Sequence, residues 1–415
     1  MLDRTLSTWP SFQHLLQAAM CIFCLSSVKA QSPENGLNSL LGFNLWIDST
    51  LWDDKADFAS RRLRLNGSVN GATSFYRGVP FGVDSCLGAK LYAVDIYGTN
   101  GYVQRVVLGF INRADMSKSM TDPKSRIYDD TVNREFAAIR SRLIQRLGQP
   151  NQRGERDIWP WVGHELVLHK GPEALTLTIQ KGNTPPNQSP GALPRELTLA
   201  RNPPSYFVKR TTTGDVFIQG LPPISQGDRN YCVPASWEKV LRHLGLGLNV
   251  YDLAQKGGSR VEGTLYMPFA KEMEKLLGPS RYRVTYITQS ENDFTSIKPY
   301  IDQGLPVIWP MNANHLPLWL SRSNQRKAGT PLAPLDSSTG NMPPAPHALL
   351  IVGYNAIYRE IALSDSTELG SSTPQIWIKA ADLTDAELGT DPKIVVVPPP
   401  ETNPPGGGVI RPRWY

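Results

Sequence analysis

The stretch "QGDRNYCVPASW", Gln226 to Trp237, places a cysteine six residues after a glutamine and two before a proline. A thiol there can pack, pair in a disulfide, bind a metal or act as a nucleophile. Pro234 suits the first turn of a helix, where the missing N–H has no partner to lose. Trp237, Val240, Leu241 and Leu244 then keep helical spacing, and Gly245 stops the element. Cys232 therefore falls at a helix N-terminus, where unpaired N–H groups and the macrodipole favour a thiolate, the reactive form. A cysteine packed there as a small apolar residue is the plain alternative.

A nucleophilic thiol needs a base. His164 and His169 belong to an earlier part of the chain, and His243 lies three turns along the same helix, too far to meet Cys232. His315, in "NANHLPLWL", has no strand pattern around it. His347 heads "HALLIVGYN", an apolar run that reads as a buried strand with Pro346 at the turn before it. The next strand, "REIALSDST", carries Asp365 eighteen residues later. A short turn between two antiparallel strands would bring this carboxylate beside the imidazole, where it could fix the ring and stabilise the imidazolium.

The chain of 415 residues is too long for one ordinary domain. Its first thirty residues read as an export signal: Arg4, an apolar segment from Leu15 to Ser27, then "SVKA" before a cut. A buried N-terminal helix is the alternative. Removing residues 1–30 removes Cys21 and Cys24 and leaves Cys86 and Cys232. Two cysteines make no disulfide framework and, without clustered histidines, no zinc site. A single Cys86–Cys232 bridge stays open as a structural use.

Residues 31–181 read as an N-terminal α+β domain of unknown role. "KLYAVDIYG" and "YVQRVVLGFI" look like strands, and "EALTLTIQ" alternates as a half-buried strand should. "DDTVNREFAAIRSRLIQRLG" looks like a helix capped by Asp130 and stopped by Gly148. Trp159 and Trp161 are expected to pack. Residues 182–204 form a Pro/Gly/Asn-rich linker. Residues 205–397 form a second unit, helices first and strands after, and 398–415 a Pro/Gly-rich tail that cannot bury a core.

The formal net charge of +6 is mild for this length, and the basic residues are scattered. Nucleic acid is therefore a poor partner class. Past the signal, no apolar run reaches the ~20 residues that span a bilayer, so no stable membrane insertion is expected after its removal.

Gln226, Cys232, His347 and Asp365 resemble the catalytic set of papain-clan cysteine peptidases. The matching runs are "QGDRNYC", "HALLIVGY" and "SDST", and "YCVPASW" with an Asp as third member is most similar to the bacteriocin-leader-processing, C39-like type. The resemblance spans roughly Pro222 to Leu383. It implies an α+β papain-like domain, helices then antiparallel sheet. It also implies an oxyanion role for Gln226, a peptide or protein substrate, and no metal or organic cofactor. The sequence departs from the pattern in two places. Val233 follows the cysteine where the C39-like enzymes usually carry glycine, and is expected to narrow the substrate cleft. Thr367 stands where papain has a tryptophan. The transporter parts that often follow such domains are absent from this sequence, and the N-terminal unit does not read as papain's helical prodomain.

The reading is an exported, periplasmic or extracellular, cysteine peptidase using Cys232, His347, Asp365 and Gln226. The same set could instead serve an acyltransferase or amidase acting on cell-wall peptides. An inactive peptidase fold used for binding is the reading from another class.

Overall fold

The computed structural model describes residues 33–45, 51–113, 116, 126–161, 163–172, 174–182, 202–227, 230–260, 262–287, 294–333, 343–367 and 375–399. The expected signal peptide, linker residues 183–201 and tail residues 400–415 lie outside them.

The N-terminal domain begins with helices α1 (Pro33–Leu41) and α2 (Ala56–Leu63), with a 3-10 turn at Leu51–Asp53. Strands β1 (Asn66–Asn70) and β2 (Thr73–Gly78) follow, then the small hairpin β3 (Ser85–Cys86) and β4 (Ala89–Lys90). Next come β5 (Ala93–Thr99), β6 (Tyr102–Asn112) and the long helix α3 (Ile127–Leu147). Strands β7 (Asn151–Arg153), β8 (Arg156–Trp161), β9 (His164–Lys170) and β10 (Ala174–Lys181) complete it. One antiparallel sheet runs β1-β2-β5-β6-β10-β9-β8-β7. The strands expected at 90–98 and 102–111 are β5 and β6. Helix α3 starts one turn before the expected cap: Arg126 precedes it, and Asp129 and Asp130 sit in its first turn, where their charge suits the helix N-terminus. Gly148 does end it, donating its N–H to Ile144 O at 2.8 Å. Trp159 is a core residue whose Nε1 donates to Gly148 O, and Trp161 packs against the same core.

The second domain opens with β11 (Val208–Arg210) and β12 (Asp215–Ile218), two short strands ahead of the helices that were expected first. Helices α4 (Cys232–His243), α5 (Val250–Lys256) and α6 (Tyr266–Leu277) come next, then β13 (Arg283–Ile287), α7 (Phe294–Asp302), β14 (Val307–Asn312) and α8 (Leu316–Gln325). Strands β15 (Pro346–Asn355), β16 (Glu360–Ser364) and β17 (Ile376–Lys379), helix α9 (Asp382–Asp385) and strand β18 (Lys393–Val397) finish the fold. The sheet order is β11-β12-β15-β14-β18-β13, and β16 with β17 extends it from β15.

Strand β15 is the pivot. Its first half pairs with β14, from Val307↔Ile351 to Asn312↔Pro346. Its second half pairs with β12 on one side and β16 on the other. The glycine of "HALLIVGY" serves this crossing. A Cβ on Gly353 would sit 2.6 Å from Phe217 Cβ and 2.7 Å from Val216 O, so only glycine lets β12 come this close.

The two domains share a core. Phe75, Tyr97 and Val107 of the first sheet pack with Tyr231, Ala235 and Tyr251 of the second domain in one apolar cluster. This contact changes strand β10. Leu175, Leu177 and Ile179 face the N-terminal core as expected, but Thr176, on the face assigned to solvent, is 3% exposed. Helix α5 packs against β10 and covers that face. Among the described residues no helix is long and apolar enough to cross a membrane.

Candidate active site

The site is assembled by helix α4 and strand β15. Cys232 is the first residue of α4 and sits at its N-terminus. Ser236, one turn on, donates from Oγ to Ala348 O at 3.0 Å and fastens the helix to β15 beside His347. His347 and the backbone N–H groups of Val233 and Ala348 lie close enough to the Cys232 thiol to favour its charged form.

Asp365 arrives through register. Strand β16 leaves the ladder after Ser364, which pairs with Leu350. Extending that register by one residue sets Asp365 opposite Leu349, diagonal to His347 on the same face, within reach of a side-chain contact. His347 Nε2 and Asp365 Oδ1 are 2.6 Å apart, both residues buried. With Nε2 engaged by the carboxylate, Nδ1 is the nitrogen left for the thiol.

The electrostatics follow the geometry. Burial pushes the Cys232 thiol up, but the hydrogen bond and charge of His347, with the two backbone donors, outweigh it and leave the thiol below its ordinary value. Burial pulls His347 down, yet Asp365 and Cys232 raise it to about 10. Burial likewise disfavours the Asp365 carboxylate, and His347, Thr367 and Lys239 together hold it far below the usual range. These shifts favour a thiolate–imidazolium pair backed by a carboxylate.

Gln226 lies in the segment before α4. Its N–H donates to Ser366 O at 2.8 Å, and its Oε1 accepts from Ser366 Oγ at 2.9 Å. The amide is thus held by its oxygen end, which turns the NH₂ end toward the remaining side. Gly227 follows with φ +67°, a left-handed bend that glycine accommodates. The structure therefore brings Cys232, His347 and Asp365 together and ties Gln226 to the Asp365 loop through Ser366.

Three supporting groups were not singled out in the sequence. Thr367, noted only as a departure, donates from N and Oγ1 to Asp365 Oδ2. Ser366 orients Gln226. Lys239, buried on α4, donates to Asp365 O and, at 3.3 Å, to Ser364 Oγ. The hydroxyls flanking Asp365 in "SDST" are the signal that could have found the first two; the lysine reads as any polar helix residue.

One expectation changes, and one open alternative closes. Val233 does not line a cleft: it is 4% exposed and packs in the domain core with Trp237 and Leu241. Cys86 and Cys232 are both free, one in each domain, so the bridge is not formed. Burial pushes Cys86 up to about 12, an inert packed thiol. His243 ends α4 with Nε2 on Gly304 O at 2.8 Å, and His315 stacks on Trp319.

Residues 218–387 match the Peptidase_C39 like family. The peptidase domain of Streptococcus ComA, a bi-functional ABC transporter involved in a quorum sensing pathway, is 14% identical; the match covers 42% of this chain and 97% of that one at a TM-score of 0.28. Xylellain, a cysteine protease from Xylella fastidiosa, is 12% identical over 50% of this chain and 91% of its own, with a TM-score of 0.32. No curated protein matches the chain. On the family match, the second domain of this chain is similar to C39-like cysteine peptidase domains, and the N-terminal sheet domain lies outside the matched residues.

Proposed function

We propose that the protein hydrolyses peptide bonds through Cys232, His347 and Asp365, with Gln226 and the Cys232 N–H as the oxyanion donors. The observation that carries this reading is the buried His347–Asp365 contact of 2.6 Å next to a thiol held at a helix N-terminus. The Cys232 thiolate attacks the carbonyl carbon, and the carbonyl oxygen takes the negative charge between the two donors. The His347 imidazolium gives its proton to the amine nitrogen as the C–N bond breaks, leaving a thioester on Cys232. Water then attacks the thioester, His347 takes the water's proton, and the C–S bond breaks to return the thiolate. Asp365 keeps the ring oriented and its charged form stable throughout.

Peptide hydrolysis by wild type and by Cys232→Ala, with the haloacetamide-labelled residue located by mass spectrometry, tests the assignment. Labelling at Cys232 at pH 6 and loss of hydrolysis in the variant support it. A wild-type protein whose Cys232 reacts no faster than free cysteine at that pH argues for a binding module. Running the reaction with an added amine separates hydrolysis from acyl transfer: an amide product in place of the acid identifies a transferase. We also propose export, on the apolar segment and "SVKA"; N-terminal sequencing of secreted material should begin at Gln31, and a start at Met1 overturns it.

A further inference from the structure

The family match begins at residue 218, yet the segment that carries Gln226 is gripped from the domain outside it. Arg77, on β2, is 8% exposed, and Asp95, on the neighbouring β5, is fully buried. The guanidinium makes a bidentate pair with the carboxylate, Nε to Oδ1 at 2.7 Å and Nη2 to Oδ2 at 2.6 Å. Its remaining nitrogen, Nη1, donates to Ser225 O at 2.6 Å, the carbonyl immediately before Gln226. The Arg77 stem also underlies the bend after the glutamine: a Cβ on Gly227 would lie 3.5 Å from Arg77 Cδ.

The grip continues along the segment. Asn70, at the β1–β2 turn, donates from Nδ2 to Leu221 O at 2.9 Å. Gly71 comes so close that a Cβ there would stand 3.3 Å from Gly220 Cα. Residues 220–227 therefore run between two supports: the β1–β2 hairpin on one side and the Ser366 loop, at the Gln226 end, on the other. A guanidinium fork pinned by a buried carboxylate is rigid, which a lone hydrogen bond to a loop carbonyl is not.

We propose that Arg77, oriented by Asp95, is a positioning residue for the oxyanion side of the site, and that the N-terminal domain is a permanent part of the working enzyme and not a segment removed to activate it. This rests on the reading of Gln226 given above. Displacing an oxyanion donor costs turnover far more than substrate binding, because its contact strengthens only as the oxygen gains charge. Alkylation of the thiol forms no oxyanion and should not notice the change.

The test uses the full chain with Arg77→Met/Asp95→Met, which removes both buried charges so that neither is left unpaired. Hydrogen exchange of peptides covering 220–227 should become at least about ten-fold faster, while other segments of the second domain hold. On a peptide substrate kcat should fall about 10–100-fold with KM within about three-fold. Haloacetamide labelling of Cys232 should stay within a few-fold of wild type. Arg77→Lys, which keeps a charge for Asp95 but loses the fork, should lie between the two. Asp95→Asn gives the same readouts if the double variant does not fold. Unchanged exchange at 220–227, or faster exchange with unchanged kcat, overturns the proposal. A wild type without peptide turnover sinks the reading of the site instead, and the exchange measurement still decides whether Arg77 holds this segment.

Discussion

Helices α3 and α4 both read as amphipathic, and they end in opposite surroundings. In α3 the buried residues are Tyr128, Val132, Ile139 and Leu143, one stripe against the core, while Arg134, Ser141 and Gln145 are exposed. In α4 every residue from Val233 to His243 is buried. Its apolar face packs into the peptidase core, and its other face meets the N-terminal sheet. Glu238 pairs with Arg242 at 2.7 Å, and the Arg242 guanidinium lies 4.0 Å over the Tyr97 ring of β5. Polar residues on one helix face therefore do not by themselves mean solvent. On α4 they mark a second domain and a site, because a buried charge persists only with a partner.

The largest loss is expected at the first residue of α4. Cys232→Ser should lower kcat by about 10⁴-fold or more, the scale on which loss of a nucleophile is felt. Cys86→Ser, in the same chain, should keep activity and cost about 1–3 kcal/mol, since a hydroxyl replaces a buried thiol in the N-terminal core. Turnover assays and urea melts of the two variants separate a reactive thiol from a packed one.

Next in size is the charged face. Glu238→Ala should destabilise by about 1–3 kcal/mol, because the buried Arg242 loses its hydrogen-bond acceptor at 2.7 Å. Arg134→Ala, exposed on α3, should stay within about 0.5 kcal/mol. Equal effects in denaturant melts would mean that α4 is not enclosed.

The pH dependence sharpens the same contrast within the site. The Cys232 thiol is held below its ordinary value and His347 is raised to about 10, so a thiolate–imidazolium pair is favoured between those limits. Activity should therefore rise through an acid limb below the usual thiol range and fall as His347 loses its proton near pH 10. In His347→Ala, thiol labelling should shift toward alkaline pH, since burial alone raises a thiol. A labelling profile identical to wild type would show that His347 does not hold the thiolate.

Much of this was legible because the signals were local. A proline two residues after Cys232, an apolar run behind His347 and a short turn before Asp365 each act through neighbours in sequence. Those spacings forecast a helix start and two paired strands, and β15 with β16 are so arranged. What stayed hidden depended on distant partners. Thr176 is buried because α5 covers it, and Val233 points inward because α4 has no free face. Arg77 and Asp95 lie about 150 and 130 residues before Ser225, and no periodicity links them. Interdomain contacts of this kind leave only the mark of polar residues without a sequence reason.

Lys239 is the smallest effect and the finest test of the buried polar face. It stands two turns after Cys232 on α4, 1% exposed, and donates to Asp365 O. It thus links the helix bearing the thiol to the loop bearing the carboxylate. Burial lowers it and the Asp365 charge only partly restores it, leaving it at about 8. In the unfolded chain a lysine titrates near 10.4. Between those values the folded state binds fewer protons, so this group's contribution becomes more favourable as pH rises through the window, by at most about 1.4 kcal/mol per pH unit. Below about pH 8 the cost of a buried ammonium is fully present. Lys239→Met removes that cost while filling similar space, so the variant should compare best with wild type at pH 7 and lose that advantage by pH 10. Its kcat should drop by about ten-fold or less, because Asp365 loses one backbone anchor but keeps both Thr367 donors. Urea melts of the two proteins at pH 7 and pH 10 decide it: a stability gap that does not move toward wild type at the higher pH means that Lys239 carries no buried charge, and that α4 meets water on that side after all.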